Sequence, residues 1–309
     1  MVPKAATKIA LLTYMAATLA VMCGVAGAQD LEPRAYSPAP VGTNFVIFTY
    51  AHSSGNFLPD PTLPIQHANV QFNNVAFGYY HSFGLFGRQT TVSVGLPFVW
   101  GSGDALVKGA QTHINRSGLG DPVLRISYIL YGSPALSPED FKKQTHKSIV
   151  GASVLITAPF GQYDPKLLVN IGANRWSFRP QIGFSRQVYK WTFDLYLGGY
   201  FFTENSNFFG GHVRDQAPIA ATQVHLSYTF RRGMWAALDG IYYTGGRTTV
   251  NGVLNSDLQQ NVRVGLTFAV PIERAQSLKF QYTRGAITRV GGDFTTLALT
   301  YQYRFTTRK

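Results

Sequence analysis

The chain has one cysteine in 309 residues, Cys23, and it stands so near the start that a disulfide framework is excluded for the rest of the molecule. Charge is scarce as well. Asp, Glu, Lys and Arg make up 14% of the residues, where a soluble domain carries roughly a quarter, so an ordinary water-facing surface is hard to build from this composition. Acidic residues are the scarcer sign, 15 against 27 Lys and Arg, for a formal charge of +12. A basic balance suits nucleic acid or an anionic surface, but no block of consecutive Lys and Arg exists. The densest pair, Arg231 and Arg232, runs into Gly233 in a turn. No nucleic-acid partner is expected, and scattered basic residues fit lipopolysaccharide, anionic solutes or the chain's own carboxylates better. There is also no nucleotide-binding glycine loop, no histidine pair at zinc spacing and no calcium loop. Neither a cofactor nor a metal is expected.

Long apolar runs are limited to one. Lys4 and Lys8 precede Ile9–Val25, which ends in the small residues Ala26, Gly27 and Ala28. This is the pattern of a secretory signal peptide, residues 1–28, cleaved before Gln29. Thr13, Tyr14, Thr18 and Gly24 interrupt the run, which is short for a membrane anchor. Met22 stands before Cys23 where a lipoprotein site needs a small residue, which argues against lipidation. Residues 29–42 follow, with Pro33, Pro38 and Pro40, unable to form a regular helix or central strand. This segment either folds inward as a small plug or hangs in the periplasm.

What the chain has in plenty is alternation. Thr90, Val92, Val94, Leu96, Phe98 and Trp100 share one face of a strand, while Thr91, Ser93, Gly95 and Pro97 share the other. Twelve stretches read this way: 43–52, 70–81, 88–100, 121–131, 148–159, 176–187, 191–203, 220–230, 234–244, 259–271, 277–285 and 294–305. Each is long enough for a tilted strand to cross a bilayer, and the outward face of Val262, Val264, Leu266, Phe268 and Val270 carries no charge. Short connections at 82–87, 188–190, 231–233 and 272–276 alternate with long ones at 53–69, 101–120, 160–175, 204–219 and 245–258. Two connections break the rule: 132–147 is long, with a helix start at Ser137 and Pro138, and 286–293 is short. The reading is all-β: a transmembrane antiparallel β-barrel of about 12 strands over residues 43–309, in a bacterial outer membrane. The soluble alternative, a twelve-stranded sandwich, would use strands of about five or six residues.

If the apolar face meets lipid, the other lines the lumen. Parity then points inward Arg125, Ser127, Arg179, Gln181, Asp194, Tyr196, Tyr200, Gln223, His225, Ser227, Asp239, Asn261, Arg263, Lys279, Gln281, Gln302 and Arg304. Of these, Arg125, Arg179, Asp194, Tyr196, Tyr200, Asp239, Arg263 and Lys279 are the candidate lumen and solute contacts. They form either a basic constriction that selects anions or a wall in which Asp194 and Asp239 pair with neighbouring arginines. Phe202 and Tyr243 add to the tyrosines as aromatic lumen surface. Twelve strands lie between the filled eight-stranded interior and the sixteen-stranded aqueous pore, so inward side chains decide whether the barrel conducts. For catalysis the best pair is His225 with Ser227, two apart on one strand and so about 7 Å apart, too far for direct proton transfer. No catalytic residue is assigned, and the chain reads as non-enzymatic.

Several stretches carry a family resemblance: Leu31–Gly42 (LEPRAYSPAPVG), Ser82–Arg88 (SFGLFGR), Gly120–Pro122 (GDP), Ala158–Asp164 (APFGQYD), Asn170–Trp176 (NIGANRW) and Tyr243–Asn251 (YTGGRTTVN). As a set they resemble outer-membrane transporters associated by name with the MetA pathway of phenol degradation. The resemblance implies an outer-membrane barrel with a transport role. The combined expectation is passive passage of small molecules, aromatic or other hydrophobic compounds among them. The rivals are a non-conducting structural or surface-binding barrel and an outer-membrane lipid hydrolase. Expected partners are outer-membrane lipids and lipopolysaccharide, the barrel assembly machinery and a small-molecule solute. For the assembly machinery Tyr301, Tyr303 and Phe305 offer alternating aromatics, although the chain ends on Lys309 rather than an aromatic residue.

Overall fold

A computed structural model describes residues 31–58, 65–107, 109–144 and 148–307. The signal-peptide expectation for residues 1–28 falls outside the described residues. In chain order the elements are β1 (Thr43–Leu58), β2 (Ile65–Leu85), β3 (Arg88–Val107), β4 (Ala110–Leu119), β5 (Val123–Tyr131), α1 (Pro138–Phe141), β6 (Ser148–Thr157), β7 (Ser177–Val188), β8 (Trp191–Phe202), β9 (Asn205–Phe208), β10 (His212–Gln216), β11 (Ile219–Arg231), β12 (Met234–Gly245), β13 (Thr248–Val250), β14 (Val253–Leu254), β15 (Gln259–Pro271), β16 (Gln276–Ile287) and β17 (Gly291–Thr306).

Twelve of these strands form one closed antiparallel wall, in the order β1, β2, β3, β5, β6, β7, β8, β11, β12, β15, β16, β17 and back to β1. The closing seam is continuous, from Thr43 opposite Thr306 to Leu58 opposite Gly291. Closure leaves these strands without free edges, which is what a lipid environment requires of a sheet. Alternation sorts the two faces. Phe77, Val94, Leu96, Leu197, Leu226, Leu238, Leu266 and Leu297 are exposed outside, while their strand neighbours turn inward. Aromatic residues gather near both rims on the outside: Trp191, Tyr228, Phe230, Tyr303 and Phe305 at one, Phe98, Trp100, Phe160 and Trp176 at the other. That is the double girdle of a membrane-spanning barrel.

The short connections and the first and last strand ends share one rim. There the turn between β2 and β3 places Phe86 at φ 50° and Gly87 at φ 72°, the both-positive geometry that matches strand twist in a two-residue hairpin. The helix start also forms: Ser137 Oγ accepts from the Asp140 N–H at 3.2 Å, ahead of the single turn of α1. The expected long loops are corrected in four places. Residues 101–120 hold the last third of β3 and all of β4, and most of 53–69 extends β1 and β2. Residues 204–219 and 245–258 contain β9, β10, β13 and β14, which form a separate four-stranded sheet. β4 and β5 pair with successive stretches of β3, Leu119 opposite Phe98 and Val123 opposite Gly95, so they are one strand interrupted at Gly120–Pro122. Pro122 lacks the N–H that would continue the ladder.

Candidate functional site

Residues 31–42 run inside the barrel. With three prolines and Arg34 at φ 61°, the segment makes a turn, closed by the Ser37 N–H donating to the Arg34 carbonyl at 3.0 Å, and meets the wall mainly through side chains. Leu31 is buried against Tyr200, Ile219, Ile241 and Tyr243, and its carbonyl accepts from Gln281 at 2.9 Å. The Glu32 carboxylate lies between two wall arginines: Oε1 accepts from Arg179 at 2.7 Å, and Oε2 accepts from Arg125. Burial works against the charged form of Glu32, but the two guanidiniums outweigh it and hold the carboxyl well below the usual carboxylate range. Arg34 stacks over Trp235 and donates to Thr229 at 2.7 Å, and its backbone N–H donates to Asp194 at 3.3 Å. Tyr36 is 2% exposed. Its hydroxyl bonds with Ser153 Oγ at 2.9 Å, and its ring packs edge-on to Tyr196.

Two glycines make room for that ring. Gly151 and Gly183 face each other across β6 and β7, and a Cβ on either would come within 2.3 Å of the Tyr36 ring. The register stacks the contacts in levels. Arg125, Leu155 and Arg179 share one level, Ser153 and Gln181 the next, and Gly151 and Gly183 the one below.

The eight candidate residues all lie on the inner face: six on one arc, Lys279 on a second, and Arg125 on β5 between the two. On β7, β8, β11, β12 and β15 the inward side chains are large, polar and buried: Arg179, Asp194, Tyr196, Tyr200, Asp239 and Arg263 belong here. Asp239 bonds His225 Nδ1 at 2.7 Å and accepts from Thr267 at 2.6 Å. Arg263 donates to the Phe294 carbonyl at 2.9 Å and to Thr283 at 3.2 Å. Arg179 donates to Tyr200 at 3.2 Å. The expected pairing of Asp194 and Asp239 with wall arginines is corrected: Asp239 takes a histidine, Asp194 takes the segment's backbone, and the wall arginines 125 and 179 take Glu32. Tyr196, Tyr200 and Tyr243 are covered rather than offering free aromatic surface.

On β16, β17, β1, β2 and β3 the inward residues are mostly small and keep partial exposure. Thr49, Ala51, Ala76, Gly78, Ser93, Gly95, Thr296 and Ala298 line this arc, with Lys279 and Gln281 beside it. Arg304, expected inside, is exposed at the rim and donates to the Arg274 carbonyl. His225 and Ser227 are both fully buried. His225 Nε2 meets Gln223, and Ser227 Oγ has no hydrogen-bond partner among the described residues.

At the long-loop rim an apolar cleft of about 120 Å³ is lined by Val70, Phe72, Val99, Ile114, Val169, Ile171 and Phe294, with Arg116 and Asn170 at its polar side. The loop between β6 and β7 supplies one wall. Three of the resemblance motifs meet there: Asp121 of GDP accepts from the Gly161 N–H of APFGQYD and the Ala173 N–H of NIGANRW, each at 2.8 Å. Asn170 and Asp164 tie the loop internally, and Arg116 donates to the Val169 carbonyl at 2.7 Å. These motifs therefore build a loop. Sequence reasoning missed Glu32 and Tyr36 as site residues, although the LEPRAYSP motif marked their position.

Residues 51–305 match the family described as "Putative MetA-pathway of phenol degradation". Among solved structures the chain is similar to the COG4313 outer membrane channel from Pseudomonas putida F1, with a TM-score of 0.74 and 22% identity over 89% of this chain and 100% of that one. The transport unit of the autotransporter AIDA-I from Escherichia coli gives a TM-score of 0.54 at 9% identity, covering 91% and 95% of the two chains. The translocator domain of the autotransporter NalP from Neisseria meningitidis gives 0.50 at 9%, covering 87% and 90%. At these identities the likeness concerns the fold, which is that of bacterial outer-membrane barrels. No curated protein sequence matches the chain.

Proposed function

We propose that this chain, which belongs to the MetA-pathway phenol-degradation family, is a passive conduit through the outer membrane for small, partly apolar molecules. One observation carries this reading: the N-terminal segment anchors mainly on the large-residue side of the lumen, and the small-residue arc of β17, β1, β2 and β3 keeps solvent exposure. The apolar cleft stands at the long-loop end of that arc, and cavities of this order take a single aromatic ring. A solute with an aromatic or aliphatic body would leave water in the cleft and pass along threonine, serine, alanine and glycine. The similarity to an outer membrane channel from Pseudomonas putida supports the same reading. We read the segment 31–42 as a partial plug, and the exposed Tyr303 and Phe305 on β17 as the signal to the assembly machinery.

We read the chain as having no catalytic role. His225 is committed to Asp239 and Gln223, which leaves no ring nitrogen for Ser227.

Single-channel recording of the refolded protein in planar bilayers tests the conduit. Small discrete steps are expected from wild type. Ala298→Trp, which puts an indole into the small-residue arc opposite Ala51, is expected to remove most of the conductance and leave heat-modifiable gel mobility intact. Silence from folded wild type, or no effect of the tryptophan, would refute it.

A further inference from the structure

Glu32 and Tyr36 dock on the wall as two halves of one small ligand. Two guanidiniums hold the carboxylate, a hydroxyl one level below holds the phenol oxygen, and two glycines one level further leave a slot for the ring. Arg125 joins the halves: it bonds Glu32 through Nη1, and through Nη2 donates to Ser153 Oγ at 3.2 Å, the same oxygen that meets Tyr36. Side-chain exposures of 15% for Arg125 and 4% for Arg179 show a built site. The wall supplies both positive charges and no acid in these contacts, so with Glu32 withdrawn two inward guanidiniums would stand over an empty aromatic slot.

We propose that this part of the lumen wall is a binding site for small aromatic monocarboxylates, which the protein's own Glu32 and Tyr36 occupy in the docked state. The ring takes the slot at Gly151 and Gly183, edge-on to Tyr196, and the carboxylate reaches Arg125 and Arg179. An alkyl carboxylate leaves the slot empty, and a neutral aromatic leaves the guanidiniums without a counter-charge. Only a ligand with both parts replaces what the segment provides. The segment is displaceable because among the described residues no backbone–backbone hydrogen bond joins residues 31–36 to a barrel strand: their backbone groups meet wall side chains, those of Gln223, Asp194, Tyr196 and Gln281. It competes as a tethered ligand, at an effective concentration in the millimolar range, so wild type binds the free ligand weakly. The inference rests on the conduit reading in one respect, that a solute must reach the lumen.

Calorimetric titration of the full exported chain, folded in detergent, with 3-phenylpropionate is the test. The Glu32→Ala, Tyr36→Ala double variant is expected to bind at least about tenfold tighter than wild type, equivalent to about 1.4 kcal/mol. In that variant acetate, which lacks the ring, and 3-phenylpropionamide, which lacks the charge, are each expected to bind about tenfold more weakly or worse. Adding Gly151→Val, whose Cβ would have the place of the Tyr36 ring as its nearest neighbour, is expected to bring 3-phenylpropionate down to the level of acetate. Equal affinity in wild type and the double variant, or equal affinity for the three probes, overturns the proposal. Should the double variant not fold, Glu32→Gln alone keeps the segment's volume and removes its charge. A gain of about threefold is then expected, and no gain overturns the proposal. Conductance of the same samples separates the two readings: silent channels with this binding pattern refute the conduit and leave the site, and conducting channels without it do the reverse.

Discussion

The two arcs of the lumen share strand geometry, alternation and register, and they differ in the size of what points inward. Across β7, β8, β11, β12 and β15 the inner face carries Arg179, Tyr196, His225, Asp239 and Arg263, packed with the N-terminal segment into a buried polar layer. Across β17, β1, β2 and β3 most inward residues are threonine, serine, alanine and glycine, and Thr49, Ala51, Ala76, Gly78, Thr296 and Ala298 among them retain exposure. Strand number sets the diameter of a barrel, and here that diameter is common to both arcs. Where the lumen stays open is therefore a matter of side-chain volume, and one barrel holds both a brace and a gap.

The largest break in this contrast is expected from Asp239→Ala. It leaves His225 Nδ1 and Thr267 Oγ1 without their hydrogen-bond partner in a buried site, which at about 2 kcal/mol for each orphaned group comes to about 4 kcal/mol. Thr296→Ala in the open arc loses only the 2.8 Å bond to Ser53, worth under about 1 kcal/mol. Urea-dependent folding into lipid vesicles should separate the two variants, and equal costs would mean the arcs are braced alike. Tyr36→Ala comes next, at about 3 kcal/mol for a buried aromatic. This cost falls on docking of the segment, so trypsin cleavage after Arg34 should accelerate steeply while the barrel's unfolding midpoint stays near wild type. A shifted midpoint with unchanged cleavage would place the tyrosine in the wall's own stability.

Asp121→Ala is expected to cost about 2 kcal/mol, since two part-buried loop amides lose their acceptor. Hydrogen exchange should rise at Gly161 and Ala173 and stay slow in β5 and β6. The smallest effect concerns pH. The carboxyl of Glu32 is held well below its ordinary value of 4.5, so its contribution to docking is complete above that value and is lost only as pH falls through the much lower docked one. Conductance should be flat from pH 7 to 4.5. A rise within that window would show that Arg125 and Arg179 do not clamp Glu32 in the membrane.

Much of this was legible residue by residue. The strand read at 259–271 and that observed coincide, and seven of the others agree to within two residues at both ends, because a strand between lipid and lumen repeats every second residue. β4 was missed since Gln111, Thr112, His113, Asn115, Arg116 and Ser117 are polar on both faces, so no alternation marks it. The small outer sheet was missed because two to five residues per strand are too few to show a period. Parity found the inward charges at Arg125 and Arg179 but not their partner, which lies 93 and 147 residues away in a segment without any periodicity.

The sequence by itself determined that this chain is a membrane barrel: alternation over strands of bilayer length leaves an uncharged outer face and a polar inner one, and a lipid environment admits such a sheet only when closed. Tertiary structure decided what the inner face does. The register of β6 on β7 sets Gly151 opposite Gly183 so that they form a slot, and the pairing of β5, β6 and β7 sets Arg125 two strands from Arg179 so that one carboxylate reaches both. Neither arrangement is a property of neighbours in the chain, because contacts across a barrel depend on register between strands, which local periodicity does not encode.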